Sequence, residues 1–328
     1  MLPRILAAAA VLAALTPGAA SAHEGHEPPG EPVGGHGYTG GDPIRPGSSG
    51  AALEFPAHRV ALLSWLTSEE LTGRPQPSND IWGYVSPSGR EYALIGLQTA
   101  TAVVEVTDPL QPVVVGSIRG PSSFWRDIKA YGGFAYVTNE RGRGLQVIDL
   151  RQVDEGRVRR RGWLRKDGLA TAHNIALDPD SGWAYLAGSN LVGGGLVGVD
   201  LADPRHPQLP RAARWAEHYV HDMLAVTFAA GPWAGREIVF AFSGFDGLDV
   251  LDVTDKANVV RLGHLIYPGL GYCHSGALSA DGRTLYVNDE GDEIRDLVPG
   301  ATTFVVDVRD LEAPRFVRTV ASGAASID

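Results

Sequence analysis

The chain has 328 residues, a formal net charge of −10 at pH 7 and a hydrophobic content of 44%. This content supplies enough apolar side chains for a sizeable core and excludes wholesale disorder, while the negative charge argues against non-specific binding to nucleic acid. Glycine is frequent, with 41 residues beside 22 prolines, and this composition favours many short strands and tight turns over long helices.

Residues 1–22 have the pattern of a secretory signal peptide. Arg4 supplies a positive charge, an apolar run covers residues 5–15, and Ala20-Ser21-Ala22 offers small residues for cleavage. The run is too short to span a bilayer as a stable helix, and no later segment is apolar enough, so we expect no membrane span. The leader predicts a secreted protein, either extracellular or periplasmic.

Residues 23–52 are predicted to form a disordered linker rich in glycine, proline and histidine. Large apolar side chains are scarce there, so burial cannot offset the entropy lost on ordering. Cleavage after residue 22 would place His23 at the N-terminus, where it and His26 could chelate copper or zinc, but a solvated tail is the simpler interpretation. The remaining residues, 53–328, are predicted to form one domain.

That domain repeats itself. A strand-like Val-Ile-Asp run recurs with its acidic residue at Glu105, Asp149, Asp200, Asp252 and Asp307, at intervals of 44, 51, 52 and 55 residues. A second marker, a polar pair that opens a strand-like segment, recurs with the same period at Asn79-Asp80, Arg126-Asp127, His173-Asn174, His221-Asp222 and His274-Ser275. Turn residues and aromatic, β-rich runs fall between the two markers in most units, as in hairpins.

The pattern of each unit therefore predicts four short strands. A repeat of this length with four strands is typical of a β-propeller blade. We expect an all-β propeller with five recognisable four-stranded blades. The run over residues 60–66 resembles a fourth strand, which in a closed ring would complete the final blade. Because the five units already have fourth strands of their own, we expect an incomplete ring with an open seam and a displaced N-terminal strand.

Two patterns resemble a known family. The Val-Ile-Asp runs followed by Asp-Pro-x-x-Pro, as at residues 203–207, are similar to LVIVD repeats. The segments 79–84, 124–129 and 172–175, in that order, resemble the choice-of-anchor B family of secreted bacterial proteins. The resemblance covers roughly residues 58–328. It implies a secreted or surface-displayed propeller whose relatives carry different C-terminal anchors, and it implies no established activity.

The propeller fold predicts where chemistry would lie. The first strand of each blade lines the central channel, and the loops before strand one and between strands two and three emerge on the same face. This rim offers candidate metal ligands at His173, His221, His274, Asp127, Asp222, Asp289 and Glu290. It also offers candidate binding residues at Asp80, Arg126, Asn174, Asn139 and Glu140.

Three interpretations of the rim remain open. Histidines beside carboxylates suit zinc, manganese or iron, and carboxylates with amide oxygens suit calcium. The same side chains could instead form hydrogen bonds that lock blade to blade, or a metal-free binding or catalytic funnel. Each histidine comes from a different unit, so no local motif supports a metal site. Arg126 and Asp127 are expected to serve stability and rim organisation rather than turnover.

Two functions follow from these alternatives. The first is a secreted or cell-surface binding module for a protein or glycan, without a catalytic site. The second is a metal-dependent hydrolase with its site at the mouth of the channel, by analogy of fold. No nucleophile or general-base pair is recognisable by spacing, which favours the first. The basic run Arg157–Arg161 lies on a predicted outer strand, where charge prevents edge-to-edge pairing.

Overall fold

The computed structural model describes residues 61–293 and 295–321. The predicted signal peptide (1–22) and the predicted linker (23–52) lie outside this range. The described part of the chain is almost entirely β-structure, with one short α-helix and three single-turn 3-10 helices between the strands. None of the described helices has the length and apolar character needed to span a membrane.

The strands form five four-stranded antiparallel sheets, and each sheet uses four consecutive strands of the chain. Blade 1 contains β1 (Ser78–Val85), β2 (Glu91–Leu97), β3 (Ala100–Glu105) and β4 (Val113–Arg119). Blade 2 contains β5 (Ile128–Tyr131), β6 (Phe134–Val137), β7 (Leu145–Asp149) and β8 (Arg159–Leu164). Blade 3 contains β9 (Asn174–Asp178), β10 (Trp183–Ala187), β11 (Leu196–Asp200) and β12 (Arg214–Trp215).

Blade 4 contains β13 (Asp222–Thr227), β14 (Glu237–Phe242), β15 (Leu248–Asp252) and β16 (Val260–Leu265). Blade 5 contains β17 (Cys273–Leu278), β18 (Thr284–Asp289), β19 (Thr302–Asp307) and β20 (Arg315–Ala321). The predicted all-β propeller with five recognisable blades is thereby confirmed. Each Val-Ile-Asp run forms the third strand of its blade, and each polar pair lies at or near the start of the first strand.

The sequence accounts for these strands through burial and turn chemistry. The second strand of blade 4, β14, has neighbouring blades on both faces and is accordingly buried along its whole length, with an Ile-Val-Phe-Ala-Phe run. The turns between first and second strands place a glycine at positive φ, as in Gly89 (φ 86°), Gly182 (φ 69°) and Gly282 (φ 69°). A side chain other than glycine would be strained in this conformation.

The core lies between neighbouring blades, in separate clusters rather than one central mass. Tyr92 and Leu94 of blade 1, for example, pack with Ile128 and Ile148 of blade 2. The opposite face of blade 1 is covered by Leu66 and by the helix α1 (Ser68–Thr72). Burial of apolar area at each interface holds one blade against the next.

The first strands lie side by side in the order β1, β5, β9, β13 and β17, and no comparable contact joins β17 to β1 among the described elements. On β1, Ile81 and Val85 are each 62% exposed. The expected strand over residues 60–66 differs from what is seen at 61–66, where Leu62 and Trp65 are single bridge residues. The reason is local, because Thr67 begins α1 with a capping box and Leu66 packs on blade 1.

Candidate functional site

Three histidines from successive blades meet at one rim of the channel. His173 directly precedes β9, His221 directly precedes β13, and His274 is the second residue of β17. The ring centroids of His173 and His221 are 4.4 Å apart, and those of His221 and His274 are 4.3 Å apart. The structure therefore brings together side chains that are about fifty residues apart in sequence, because they occupy equivalent positions in adjacent repeats.

A glutamate lies at each end of these rings. Glu140, in the loop between β6 and β7, places Oε1 2.7 Å from Nδ1 of His173. Glu290, which directly follows β18, places Oε1 3.4 Å from Nε2 of His274. We call Glu140, His173, His221, His274 and Glu290 the histidine row. Both glutamates come from loops between second and third strands, which share this rim with the starts of the first strands.

The histidine row contains a group of ligand atoms with the separation that a single metal ion requires. One ligand atom each from His221, His274 and Glu290 lies within 4.8 Å of the others. His221 donates from Nδ1 to the carbonyl oxygen of His274 (3.1 Å), which leaves Nε2 as the ring nitrogen that carries the lone pair. Two imidazoles and a carboxylate are the ligand types of zinc and iron sites, and calcium sites use oxygen ligands.

Two tyrosines, missed in the sequence, enclose this group. The rings of Tyr272 and His221 are 5.4 Å apart and nearly perpendicular. Burial raises the pKa of the Tyr219 hydroxyl, and the charges of Glu140 and Glu290 raise it further, so this tyrosine stays neutral. The signal was present as a repeated Tyr-x-His pattern, Tyr219-Val220-His221 and Tyr272-Cys273-His274.

The tyrosines approach so closely because glycines face them. A Cβ on Gly188 would lie 2.7 Å from Cβ of His173 and 2.8 Å from the Tyr219 hydroxyl, and a Cβ on Gly244 would lie 2.7 Å from the Tyr272 ring. Both glycines also have a φ of +56°, in the left-handed region. The backbone at these two positions therefore allows the close packing around the histidines.

The polar residues deeper in the channel connect one blade to the next. Asp80 accepts a hydrogen bond from the N–H of Ile128 (2.8 Å), and Asp127 accepts one from the N–H of Ile175 (2.8 Å). Asn174 donates from Nδ2 to the carbonyl oxygen of His221 (3.2 Å). Each contact reaches from one first strand to its neighbour, so these side chains have the blade-locking role that one of the three interpretations describes.

Arg126 is directed into the protein rather than toward the histidine row. Its Nε donates to the carbonyl oxygen of Leu97 (2.7 Å) and its Nη2 to those of Gln98 (3.2 Å) and Pro121. The residue is 2% exposed, and burial lowers the pKa of its guanidinium to about 10. These bonds hold the loops at the end of blade 1, consistent with an organising role.

Three other predicted residues make contacts away from the metal-ligand group. Asp289 is fully buried and accepts from the N–H groups of Gly271 and Tyr272 and from the Tyr267 hydroxyl. Asn139 uses its amide within its own loop. Asp222 lies with Asp127 in the channel, where burial and, secondarily, the charge of Asp127 raise its pKa to about 6. None of the three belongs to the ligand group among the described residues.

A second set of ligand-type side chains lies apart from the row, at His218, Asp249 and His264. Asp249 is fully buried and accepts from Nδ1 of both histidines (2.8 and 2.9 Å) and from the Ser243 hydroxyl (2.7 Å). The guanidinium of Arg261 lies 3.5 Å from the same carboxylate. The charge of Asp249 is thus balanced by protein groups, and we regard this cluster as structural.

The environment of Asp80 predicts a pH dependence of stability. Burial, and then the charge of Asp127, raises the pKa of Asp80 to about 7, while Lys129 acts in the opposite direction. An unfolded aspartate has a pKa of about 3.9, so between pH 4 and 7 the folded state binds more protons than the unfolded state, and stability falls as pH rises from about 4 to 7. We expect Asp80→Asn to be more stable than the parent at pH 8, with the difference shrinking by pH 4. Urea unfolding at both pH values measures this, and an equal pH slope in the two proteins would contradict it.

Comparison with known proteins supports the fold. No protein-family model matches the chain, and none of the curated proteins compared with it matches either. A functionally unknown protein from Desulfotomaculum acetoxidans is similar in structure, with 16% identity, a TM-score of 0.51, and coverage of 75% of this chain and 70% of that one. The periplasmic gluconolactonase PpgL of Pseudomonas aeruginosa is similar with 12% identity, a TM-score of 0.51, and coverage of 74% and 70%.

A protein from Lactobacillus plantarum is also similar, with 14% identity, a TM-score of 0.50, and coverage of 69% of this chain and 64% of that one. All three identities are so low that the likeness concerns the fold alone. Fold and site together define the class of the chain, an all-β propeller with a histidine-rich rim.

Proposed function

We propose that this chain is a secreted binding propeller whose rim holds one divalent transition-metal ion, with His221, His274 and Glu290 as its ligands. The observation that carries the proposal is the 4.8 Å limit within which the three ligand atoms lie. Zinc fits two imidazoles and a carboxylate best, manganese fits less well, and calcium least. His173, whose ring centroid lies 4.4 Å from that of His221, is the third imidazole beside this ligand group.

Titration of zinc into the metal-free protein tests this proposal. We expect one rim-bound ion per chain, and we expect His221→Ala and His274→Ala each to weaken binding by at least about 100-fold, because a ligand is removed outright. His206→Ala is the matched control, since His206 is an exposed histidine that pairs with Asp203. Replacing the tail histidines His23, His26 and His36 should also leave the rim site intact. Unchanged zinc affinity in both rim variants would contradict the proposal.

Hydrolysis is a second candidate, favoured by the pair formed by Glu140 and His173. Their 2.7 Å contact orients an imidazole next to the ligand group, as a general base beside a metal-bound water requires. Glu140→Gln should then abolish turnover of an ester, lactone or phosphoester panel while zinc binding persists. If the zinc-loaded parent turns over none of these substrates, the non-catalytic binding role stands alone.

The proposed setting is outside the cytoplasm. The leader at residues 1–22 supports export, and the resemblance to the choice-of-anchor B family supports display at the cell surface. A protein or glycan of the cell surface is the partner class that fits this setting. N-terminal sequencing of the exported protein should find His23 first, and recovery of an intact Met1 would contradict export by cleavage.

A further inference from the structure

A groove runs between blades 2 and 3 at the opposite rim. Third strands begin near the histidine row and end at the far face, so the connection from β7 to β8 lies there. Two cavities of about 420 and 280 Å³ adjoin at this place, and both are lined by Arg205. The rest of the lining includes Arg159 in the larger cavity and Arg161 in the smaller one.

The groove exists because the packing of blade 3 against blade 2 leaves one position on β8 uncovered. Gly116, Gly162 and Gly263 occupy equivalent positions on β4, β8 and β16, each opposite the residue before a β-bulge. A Cβ at Gly116 would lie 3.3 Å from Val158 of blade 2, and one at Gly263 would clash with the Leu311 carbonyl of blade 5. At Gly162 nothing lies within 4 Å, so the corresponding loop of blade 3, which contacts blade 2 through Pro204 and His206, leaves this position uncovered.

The groove is positively charged and only partly neutralised. Arg151 forms a two-point ion pair with Asp149, with contacts of 2.9 and 2.7 Å. By contrast, Arg159, Arg161 and Arg205 have no carboxylate oxygen within 4.0 Å among the described residues, and the charge of Arg205 acts on Asp149 only from beyond that distance. Like charges held together raise the free energy of the unliganded protein, and a bound anion lowers it.

One further observation concerns Arg161. This residue is the extra one in the bulge of β8, which turns it toward the loop of blade 3, where its Nη2 contacts Nε2 of His206. Its Nε is buried and has no hydrogen-bond partner among the described residues. A buried donor without a partner is uncommon in folded proteins, and an acidic group entering the groove would accept from the same guanidinium.

We propose that this groove binds an acidic oligosaccharide through its carboxylate or sulfate groups. Planar guanidinium groups match both of these anions with paired hydrogen bonds. Gln152 and Gln208 also line the cavities, and their amides can donate to and accept from sugar hydroxyls. This arrangement suits an extended ligand, since Arg205 lines both cavities.

Binding of three oligosaccharides of equal length tests the proposal by calorimetry: an oligogalacturonate, a sulfated heparin fragment and a neutral maltooligosaccharide. We expect at least one acidic sugar to bind and the neutral one not to bind, and the stronger acidic ligand identifies carboxylate or sulfate as the source. The double variant Arg159→Gln, Arg205→Gln should lose at least about tenfold in affinity. Binding should persist in chelator, which separates this groove from the histidine row.

The matched control is Arg283→Gln, Arg318→Gln, which removes the same charge from exposed positions on blade 5. This control should bind as the parent does. An equal loss in both double variants would overturn the proposal, because it would reveal a general charge effect. Equal binding of a polyglutamate of the same charge, or no binding of either acidic sugar at low salt, would overturn it as well.

Discussion

Replacing Arg126 with methionine should lower the free energy of unfolding by about 3 kcal/mol. Methionine keeps the aliphatic bulk but removes the guanidinium that donates to the carbonyl oxygens of Leu97, Gln98 and Pro121, of which that of Gln98 retains the N–H of Ser123 as a donor. Each hydrogen bond from a charged group contributes about 1.5–3 kcal/mol, and relief from burying the charge offsets part of the loss.

Urea unfolding of the metal-free protein measures this effect, with Arg318→Met as the control. Arg318 is an exposed arginine on β20, so its replacement should change stability by no more than about 0.5 kcal/mol. Zinc affinity at the rim should be unchanged in Arg126→Met wherever the protein is folded. If Arg126→Met and Arg318→Met were equally stable, the organising role of Arg126 would be wrong.

Substitutions at the adjacent residues Asp289 and Glu290 should have different effects, the first on the stability of the protein and the second on its metal affinity. Asp289→Ala removes the acceptor for two N–H groups and for the Tyr267 hydroxyl, so we expect a loss of about 3 kcal/mol. Glu290→Gln keeps the size of the side chain near His274 and should change the stability of the metal-free protein by less than about 1 kcal/mol. The same change should remove most of the zinc affinity, since it replaces a charged ligand with a neutral amide.

Both variants are measured in two experiments: urea unfolding in the presence of chelator, and zinc titration without urea. We expect opposite outcomes: Asp289→Ala loses stability, and Glu290→Gln loses its affinity for zinc. A Glu290→Gln protein that bound zinc like the parent would remove Glu290 from the ligand set. A stable Asp289→Ala protein would show that its three hydrogen bonds are easily replaced.

The fold was predictable because the repeated residues occupy the same structural position in each blade. The acidic residue of each Val-Ile-Asp run ends or nearly ends a third strand, and each polar pair lies at the start of a first strand. From that register alone, His173, His221 and His274 were expected on one rim, and the structure places them there in contact. Equivalent residues of adjacent repeats lie close together in the fold, even when they are far apart in the sequence.

The sequence did not predict which carboxylates face the histidines and which accept hydrogen bonds from the backbone. Asp289 and Glu290 are adjacent, and which of them faces the histidines depends on the loop that follows β18. The sequence grouped both with Asp127 as ligands, yet Asp127 and Asp289 bind backbone N–H groups. Hydrogen bonds between blades depend on tertiary geometry that no local pattern encodes.

The groove between blades 2 and 3 was equally hidden. The basic run of β8 was expected to protect an outer edge, and this remains a sufficient reason for charge on an edge strand. What the sequence did not show is that Arg205, from the next blade, lines the same cavities as Arg159 and Arg161. The cavities depend on how blades 2 and 3 pack against each other, and the sequence of either blade alone does not show this.

Diffraction from crystals of the zinc-loaded protein, recorded at the zinc absorption edge, tests the central claim most directly. We expect a strong anomalous peak at the rim, at roughly 2.0–2.2 Å from a ring nitrogen of His221, a ring nitrogen of His274 and a carboxylate oxygen of Glu290. A rim without a peak, or zinc bound instead at His218, Asp249 and His264, would contradict it.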